Sequence, residues 1–160
     1  MQQIENKVAY ITGAAKGIGL GIAEALVNNG LKVAISGRDT EALEKAQERL
    51  GNENVLIIKS DVRNFNDEAT AVEQVIHRFG KLDIVIANAG VGKFAPIDQM
   101  SLEDWNAMID TNLTGAFHTL KATAEQLKEN KGYYISIASL AGANFFANGA
   151  AYNAAKFGLV

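Results

Sequence analysis

The sequence predicts an α/β protein built as an open, doubly wound parallel sheet, in three layers with helices on both faces. Three observations carry that prediction. Short Val- and Ile-rich runs alternate with amphipathic stretches of helical length along the whole chain. The apolar runs lack the polar–apolar alternation of a half-solvated strand, so they read as strands buried on both faces, as parallel sheets require. The first of them gives way to a glycine-rich turn that opens directly into a helix.

The five strands are expected at 8–11, 33–36, 55–58, 82–87 and 133–138. Helices are expected at about 18–29, 41–50, 67–79, 102–111 and 113–130. Gly30, Gly51 and Gly80 stand just past the first three helices, where a left-handed C-terminal cap belongs, and Ser101 is placed to cap the start of the fourth. Strand–helix–strand units of this kind close with right-handed crossovers. A last helix begins near residue 150, carries Ala154, Ala155 and Leu159, and reaches Val160 with no stop signal. No linker, repeat or low-complexity tract interrupts the pattern, so residues 1–160 read as one domain.

Composition bounds the function. A chain of 160 residues, 48% hydrophobic and 21% charged, has the make-up of a globular protein with a substantial core. No apolar run approaches the ~20 residues of a membrane-spanning helix, and residues 1–7 are polar and of mixed charge, unlike a secretory signal; the expected setting is the cytoplasm, away from membranes. The absence of cysteine excludes disulfides and thiolate metal sites, and His77 and His118 alone argue against a zinc cluster. A net charge of −3 argues against a nucleic-acid partner.

The turn after the first strand reads Thr12-Gly13-Ala14-Ala15-Lys16-Gly17-Ile18-Gly19. Its G-x-x-x-G-x-G spacing departs from the G-x-G-x-x-G dinucleotide fingerprint, but the strand–turn–helix setting is the one a pyrophosphate needs. Glycines permit close backbone approach, and the helix N-terminus offers free N–H groups and partial positive charge. A tight turn with no ligand is the plainer reading of these residues. The second strand closes on Ser36, followed by Gly37, Arg38 and Asp39. In a doubly wound sheet that strand end lies beside the adenosine ribose. No carboxylate closes the strand, while Lys16 and Arg38 bring two cations, a combination suited to a 2′-phosphate. NADP(H) is therefore expected over NAD(H), with Asp39 the residue that would reverse the preference by taking the ribose.

Near the end stands Tyr152-Asn153-Ala154-Ala155-Lys156. On a helix, positions four apart share a face, so the phenol and the ammonium can meet. A cation about 4 Å away in a medium of effective dielectric ~20 is worth ~4 kcal/mol, enough to bring a phenol from its ordinary ~10 toward neutrality, where it can give or take a proton. The pair alone is also what an exposed helix face shows by chance. Upstream, the fifth strand is expected to run out at Ser139, placing a hydroxyl at the carboxyl edge of the sheet, either to hold a substrate oxygen or simply to turn the chain.

Taken in order, the segment 12–19, Asp61, Asn88-Ala89-Gly90, Asn112, Ser139 and the segment 152–156 resemble the short-chain dehydrogenases/reductases, and the resemblance covers essentially the whole chain. It implies a Rossmann-type domain and a nicotinamide-dependent oxidoreductase acting on a small carbonyl or alcohol. By that resemblance Gly13, Ala15, Lys16, Gly17, Ile18 and Gly19, with Arg38, hold the cofactor; Asp61 and Val62 contact adenine; and Asn88, Ala89 and Gly90 run beside the cofactor ribose. Asn112, Ser139, Tyr152 and Lys156 match the catalytic tetrad. Tyr152 would act as general acid/base, Lys156 would assist it and bind the nicotinamide ribose, Ser139 would orient the substrate oxygen, and Asn112 would hold a relay water.

The resemblance leaves the substrate open. A 3-oxoacyl thioester is one candidate, although Val91-Gly92-Lys93-Phe94 departs from the acyl-carrier-protein reductases. Phe94, Pro96, Phe145 and Phe146 are expected to wall the pocket, or else to serve as plain core. A nucleotide-binding module without turnover and an assembly role for the long helices are the competing functions. Family members are longer and form homodimers or homotetramers through helices equivalent to 113–130 and the Tyr152 helix. The native protein is accordingly expected to continue past Val160. These 160 residues alone are expected to turn over little and to be prone to pairing through an exposed strand edge.

Overall fold

The computed structural model describes residues 4–160. Five parallel strands form one sheet in the order β3-β2-β1-β4-β5: β1 (Val8–Thr12), β2 (Lys32–Gly37), β3 (Val55–Lys59), β4 (Ile84–Ala87) and β5 (Tyr133–Ser136). The helices are α1 (Gly17–Asn28), α2 (Thr40–Leu50), α3 (Phe65–Phe79), α4 (Leu102–Ile109), α5 (Gly115–Glu129) and α6 (Ala150–Leu159). Every residue of β1 is buried, and the period-two alternation of a strand divides its side chains between two cores. Ala9 and Ile11 join Val33, Ile35, Ala23, Leu43 and Ala46 under α1 and α2. Val8 and Tyr10 join Ala34, Ala71, Val75, Val85 and Leu127 under α3 and α5. Removing each such Val, Leu or Ile from water stabilises the fold by about 1.5–3 kcal/mol.

Polar side chains fix the ends of the elements. Asp39, Asn64 and Ser101 cap α2, α3 and α4 by accepting from the amides of Ala42, Asn66 and Asp104. The buried Asp83, just before β4, accepts from the Val8 amide at 2.9 Å and from Lys7 and Lys81 at 3.2 and 3.0 Å, tying the start of β1 to β4. Burial works against its charge, but these partners together hold its carboxyl below the usual range.

Four expectations are corrected. The helices expected at 102–111 and 113–130 are one continuous element, because a π-helical turn, Asp110–Thr114, joins α4 to α5 where a break was read. β5 is not buried on both faces: it lies at the sheet edge, and Tyr133 and Ile135 are 60% and 46% exposed. It also ends at Ser136 rather than Ser139, although the ladder continues through the Ile137 amide to the Ala87 carbonyl. Finally, Gly30, Gly51 and Gly80 all have positive φ, but Gly51 leaves α2 with ψ 146° while Gly80 adopts the left-handed cap geometry.

Candidate active site

Because all five strands are parallel, their carboxyl ends open on one edge of the sheet, and the strand order reverses between β1 and β4. Doubly wound sheets take their ligands in the crevice at such a reversal. A cleft of about 780 Å³ lies there. It is bordered by Gly13, Ala15, Lys16, Ile18, Arg38, Asp61, Val62, Asn88, Ala89 and Gly90, so ten of the twelve residues expected to hold the cofactor without acting in catalysis converge on it.

Gly17 and Gly19, the other two, shape the turn from behind. A Cβ on Gly19 would run into the Asn88 side-chain amide and lie 2.8 Å from Ala14 Cα. Gly13 has φ +64°, and a Cβ there would stand 2.7 Å from Ala89 Cα. The turn therefore presses its backbone against the end of β4. Thr12 and Asn88 lock that contact. The buried Thr12 Oγ1 accepts from the Asn88 and Ala89 amides at 3.1 and 3.2 Å, and Asn88 Nδ2 donates to the Thr12 and Gly13 carbonyls at 2.9 and 3.0 Å. Asn88 thus braces the turn with both its side-chain amide hydrogens. Lys16 occupies the N-cap position of α1 without a side-chain hydrogen bond, so no side-chain cap competes for the first-turn N–H groups at the cleft.

At the outer end of the cleft Lys16 and Arg38 are both exposed. Asp39 also borders it, but its Oδ1 accepts from the Ala42 amide at 3.1 Å as the cap of α2. Asp61 is clasped by Arg63, whose Nε lies 3.0 Å from both carboxylate oxygens and whose terminal nitrogen donates to Oδ2 at 2.5 Å. That clasp holds the Asp61 carboxyl below its ordinary range, against the opposing effect of burial.

The four expected catalytic residues do not border this cleft; they lie beyond its β4 side. Asn112 sits in the π turn, the kind of helical irregularity found often at functional sites. It is 1% exposed, and both its amide hydrogens are committed, to the Val91 and Met108 carbonyls at 2.9 Å each, while its Oδ1 accepts from the Val91 amide. No side-chain donor of Asn112 is left over, so a relay water at this residue would have to be met by its main chain. Asn112 instead fixes the strand-to-loop segment Gly90-Val91 along the cleft.

Lys156 is buried and donates to the Ile137 carbonyl at 2.8 Å; its Nζ lies 5.8 Å from the Tyr152 ring centroid. Burial pulls the Lys156 ammonium below its usual range. Ser139 Oγ accepts from the Ala141 amide at 3.2 Å, which leaves its hydroxyl hydrogen free to donate; no hydrogen bond joins it to Tyr152 or Lys156 among the described residues. Phe94 meets the Tyr152 ring edge-on at 5.5 Å and the Phe146 ring at 5.6 Å, so an apolar cluster stands beside the phenol. Phe145 is exposed and joins none of these ring contacts, and Pro96 makes a turn by accepting from the Gln99 and Met100 amides. The buried Asn153, beside Tyr152, ties this region together by donating to the Ala141 and Asn144 carbonyls.

A family model described as short chain dehydrogenase matches residues 7–160. The chain belongs to the short-chain dehydrogenase family. An oxidoreductase of Staphylococcus saprophyticus, itself uncharacterised, is 34% identical over 98% of this chain. Among solved structures, the alcohol dehydrogenase of the archaeon Thermococcus sibiricus, complexed with 5-hydroxy-NADP, is 36% identical with TM-score 0.92 over 96% of the chain. The 3-ketoacyl-(acyl-carrier-protein) reductase of Brucella melitensis, complexed with NADH, is 31% identical with TM-score 0.93 over 98% of the chain. This short-chain dehydrogenase sequence spans 68%, 67% and 66% of those three proteins' lengths, respectively. No helix of the described residues is long and apolar enough to cross a membrane, and no group of three or more His, Asp or Glu among them could hold a metal ion.

Proposed function

We propose that this chain carries the cofactor site and the proton-transfer residues of an oxidoreductase that moves a hydride between a nicotinamide dinucleotide, NADP(H) favoured, and a small carbonyl or alcohol. The carrying observation is the cleft, where a helix N-terminus with no side-chain cap and a backbone cradle that excludes a Cβ at Gly13 border one space of about 780 Å³. A pyrophosphate fits the α1 N-terminus, and the adenosine end reaches Arg38, Asp61 and Val62. The preference for NADP(H) rests on Lys16 and Arg38 and on the occupation of Asp39 as a helix cap.

When bound, the nicotinamide supplies or takes the hydride. The protein supplies the proton and the orientation. Ser139 donates its free hydroxyl hydrogen to the substrate oxygen, and Tyr152 protonates the developing oxyanion, or accepts the proton in the reverse direction. Lys156, held by the Ile137 carbonyl on the Tyr152 face of α6, stabilises the phenolate that remains and reaches the nicotinamide ribose. Phe94, edge-on to the Tyr152 ring, and Phe146 beside it offer the substrate an apolar surface. Among substrates a 3-oxoacyl thioester is one candidate. A homodimer or homotetramer would form on α5 and α6, where Phe117, Leu120 and Phe157 are exposed.

Fluorescence titration with NADPH and NADH, followed by turnover on a panel of ketones, aldehydes and 3-oxoacyl thioesters, tests this reading. NADPH is expected to bind more tightly than NADH, with the advantage lost in Arg38→Ala. Full turnover by Tyr152→Phe would overturn the assignment of the acid/base, and dinucleotide binding without turnover of any substrate would favour a pure binding module.

A further inference from the structure

The turn between β3 and α3 brings Asp61 and Val62 to the wall of the cleft. Within 61–64 its hydrogen bonds are otherwise local: the Asp61 amide donates to Asp67 Oδ2 at 3.1 Å, and the Asn64 amide donates to the Asp61 carbonyl at 2.8 Å. One bond comes from a distant element. His118 Nδ1, on α5, lies 2.9 Å from the Val62 carbonyl, 56 residues away along the chain. A carbonyl oxygen can only accept, so Nδ1 carries the hydrogen and donates it. The imidazole is itself held in place. It meets Phe65, the first residue of α3, edge-on at 5.8 Å, and Phe117 at 6.0 Å.

A second contact joins α5 to Val62. Gly115 has φ −62° and ψ −41°, an ordinary helical conformation in which glycine is a poor choice. Its conformational freedom is therefore unused there, and what it supplies is room. A Cβ on Gly115 would stand 2.6 Å from Val62 Cγ2 and 3.0 Å from Val62 Cβ. Turning the Val62 side chain would relieve only the first of these contacts, so the main chain of the turn would have to give. The donor on His118 draws the Val62 carbonyl toward α5, and the gap at Gly115 receives the side chain. Thr111, in the π turn that precedes α5, borders the cleft as well, so this wall is built against the α4–α5 junction.

We propose that His118 and Gly115 are positioning residues for the dinucleotide, which seat Val62 back against α5 and so keep the adenine end of the cleft open to the base. The inference rests on the reading of the cleft as a dinucleotide site with its adenosine end at Val62. Neither residue borders the cleft, and both act through Val62.

The test is the pair of dissociation constants of NADPH and NADH for the whole chain, by fluorescence titration of samples whose circular dichroism matches the wild type. His118→Phe keeps a ring between Phe65 and Phe117 but donates nothing. Both constants are expected to rise about three- to tenfold, the worth of one hydrogen bond, with their ratio unmoved because the two dinucleotides share the adenine. His118→Asn can place its Nδ2 where Nδ1 stands, and both constants are expected to stay within about twofold of wild type. Gly115→Ala suits the helix better, yet by pushing Val62 toward the cleft it is expected to weaken both dinucleotides about three- to tenfold. In a Val62→Ala background the same change has room, and its effect is expected to fall below about twofold. The proposal is overturned if His118→Phe or Gly115→Ala binds both dinucleotides as the wild type does, if His118→Asn binds as weakly as His118→Phe, or if Gly115→Ala weakens binding as much with Val62→Ala as without it. Failure of the wild-type chain to bind either dinucleotide is a different result: it overturns the reading of the cleft and the inference with it.

Discussion

Replacing Gly13 and Gly17 by alanine, one at a time, separates two reasons why the turn after β1 needs glycine. The two residues have nearly the same backbone conformation, φ +64° and +61°. An L side chain in that left-handed region costs about 1–2 kcal/mol. Their surroundings differ. Nothing lies within 4 Å of a Cβ at Gly17, whereas one at Gly13 would stand 2.7 Å from Ala89 Cα and 3.2 Å from the Ala89 nitrogen. Ala89 cannot retreat without stretching the bonds that its amide and that of Asn88 make to Thr12 Oγ1, each worth about 1 kcal/mol net. Gly17→Ala is therefore expected to destabilise the protein by about 1–2 kcal/mol, and Gly13→Ala by about 3–4 kcal/mol. Urea unfolding of both variants under identical conditions measures the difference. Equal losses would show that the conformational term alone matters and that the seam between β1 and β4 is not tightly packed.

Two further perturbations probe the same scaffold. Thr12→Val keeps the shape but strands the Asn88 and Ala89 amides; a loss of about 1–3 kcal/mol is expected in thermal unfolding, with Thr12→Ser restoring most of it. Asp83→Asn should cost about 2 kcal/mol near pH 7. The folded carboxyl of Asp83 is held below its unfolded value of 3.8, so its contribution is complete above that value and disappears as pH falls through the folded one. The stability gap between wild type and Asp83→Asn should accordingly narrow as pH falls below about 4, and a gap unchanged from pH 7 through the whole acid range would show that the loss is one of packing.

The fold was legible because its signals are local and repeated. The apolar run that became β1 is buried at every position, and Ser101 caps α4 as its position implied. The missed features depend on contacts between distant segments. The π turn cannot be read from 110–114, because what holds Asn112 there is Val91, 21 residues earlier. The exposure of β5 goes with its place at the sheet edge, which its own four residues do not reveal. In the site, the glycines and Arg38 were readable from position alone. Arg63 and Thr12 were not singled out, although Arg63 follows Asp61 by two residues and Thr12 ends a buried strand with a hydroxyl, two signals that could have marked them. The full burial of Glu68 on α3 offered no signal either, since an acidic residue in the first turn of a helix ordinarily faces solvent.

The stitch between Thr12 and Asn88 closes a loop of chain 76 residues long. Loop closure of that kind is opposed by an entropy that grows with the logarithm of length, and folding is slowest where distant segments must find one another. The cleft exists only once this seam has formed, so anything seated across it belongs to the folded state alone. Such a ligand acts as a removable staple: at a hundredfold excess over its dissociation constant it adds about 2.7 kcal/mol to the folded state, and it does so at the join that the chain finds hardest to make.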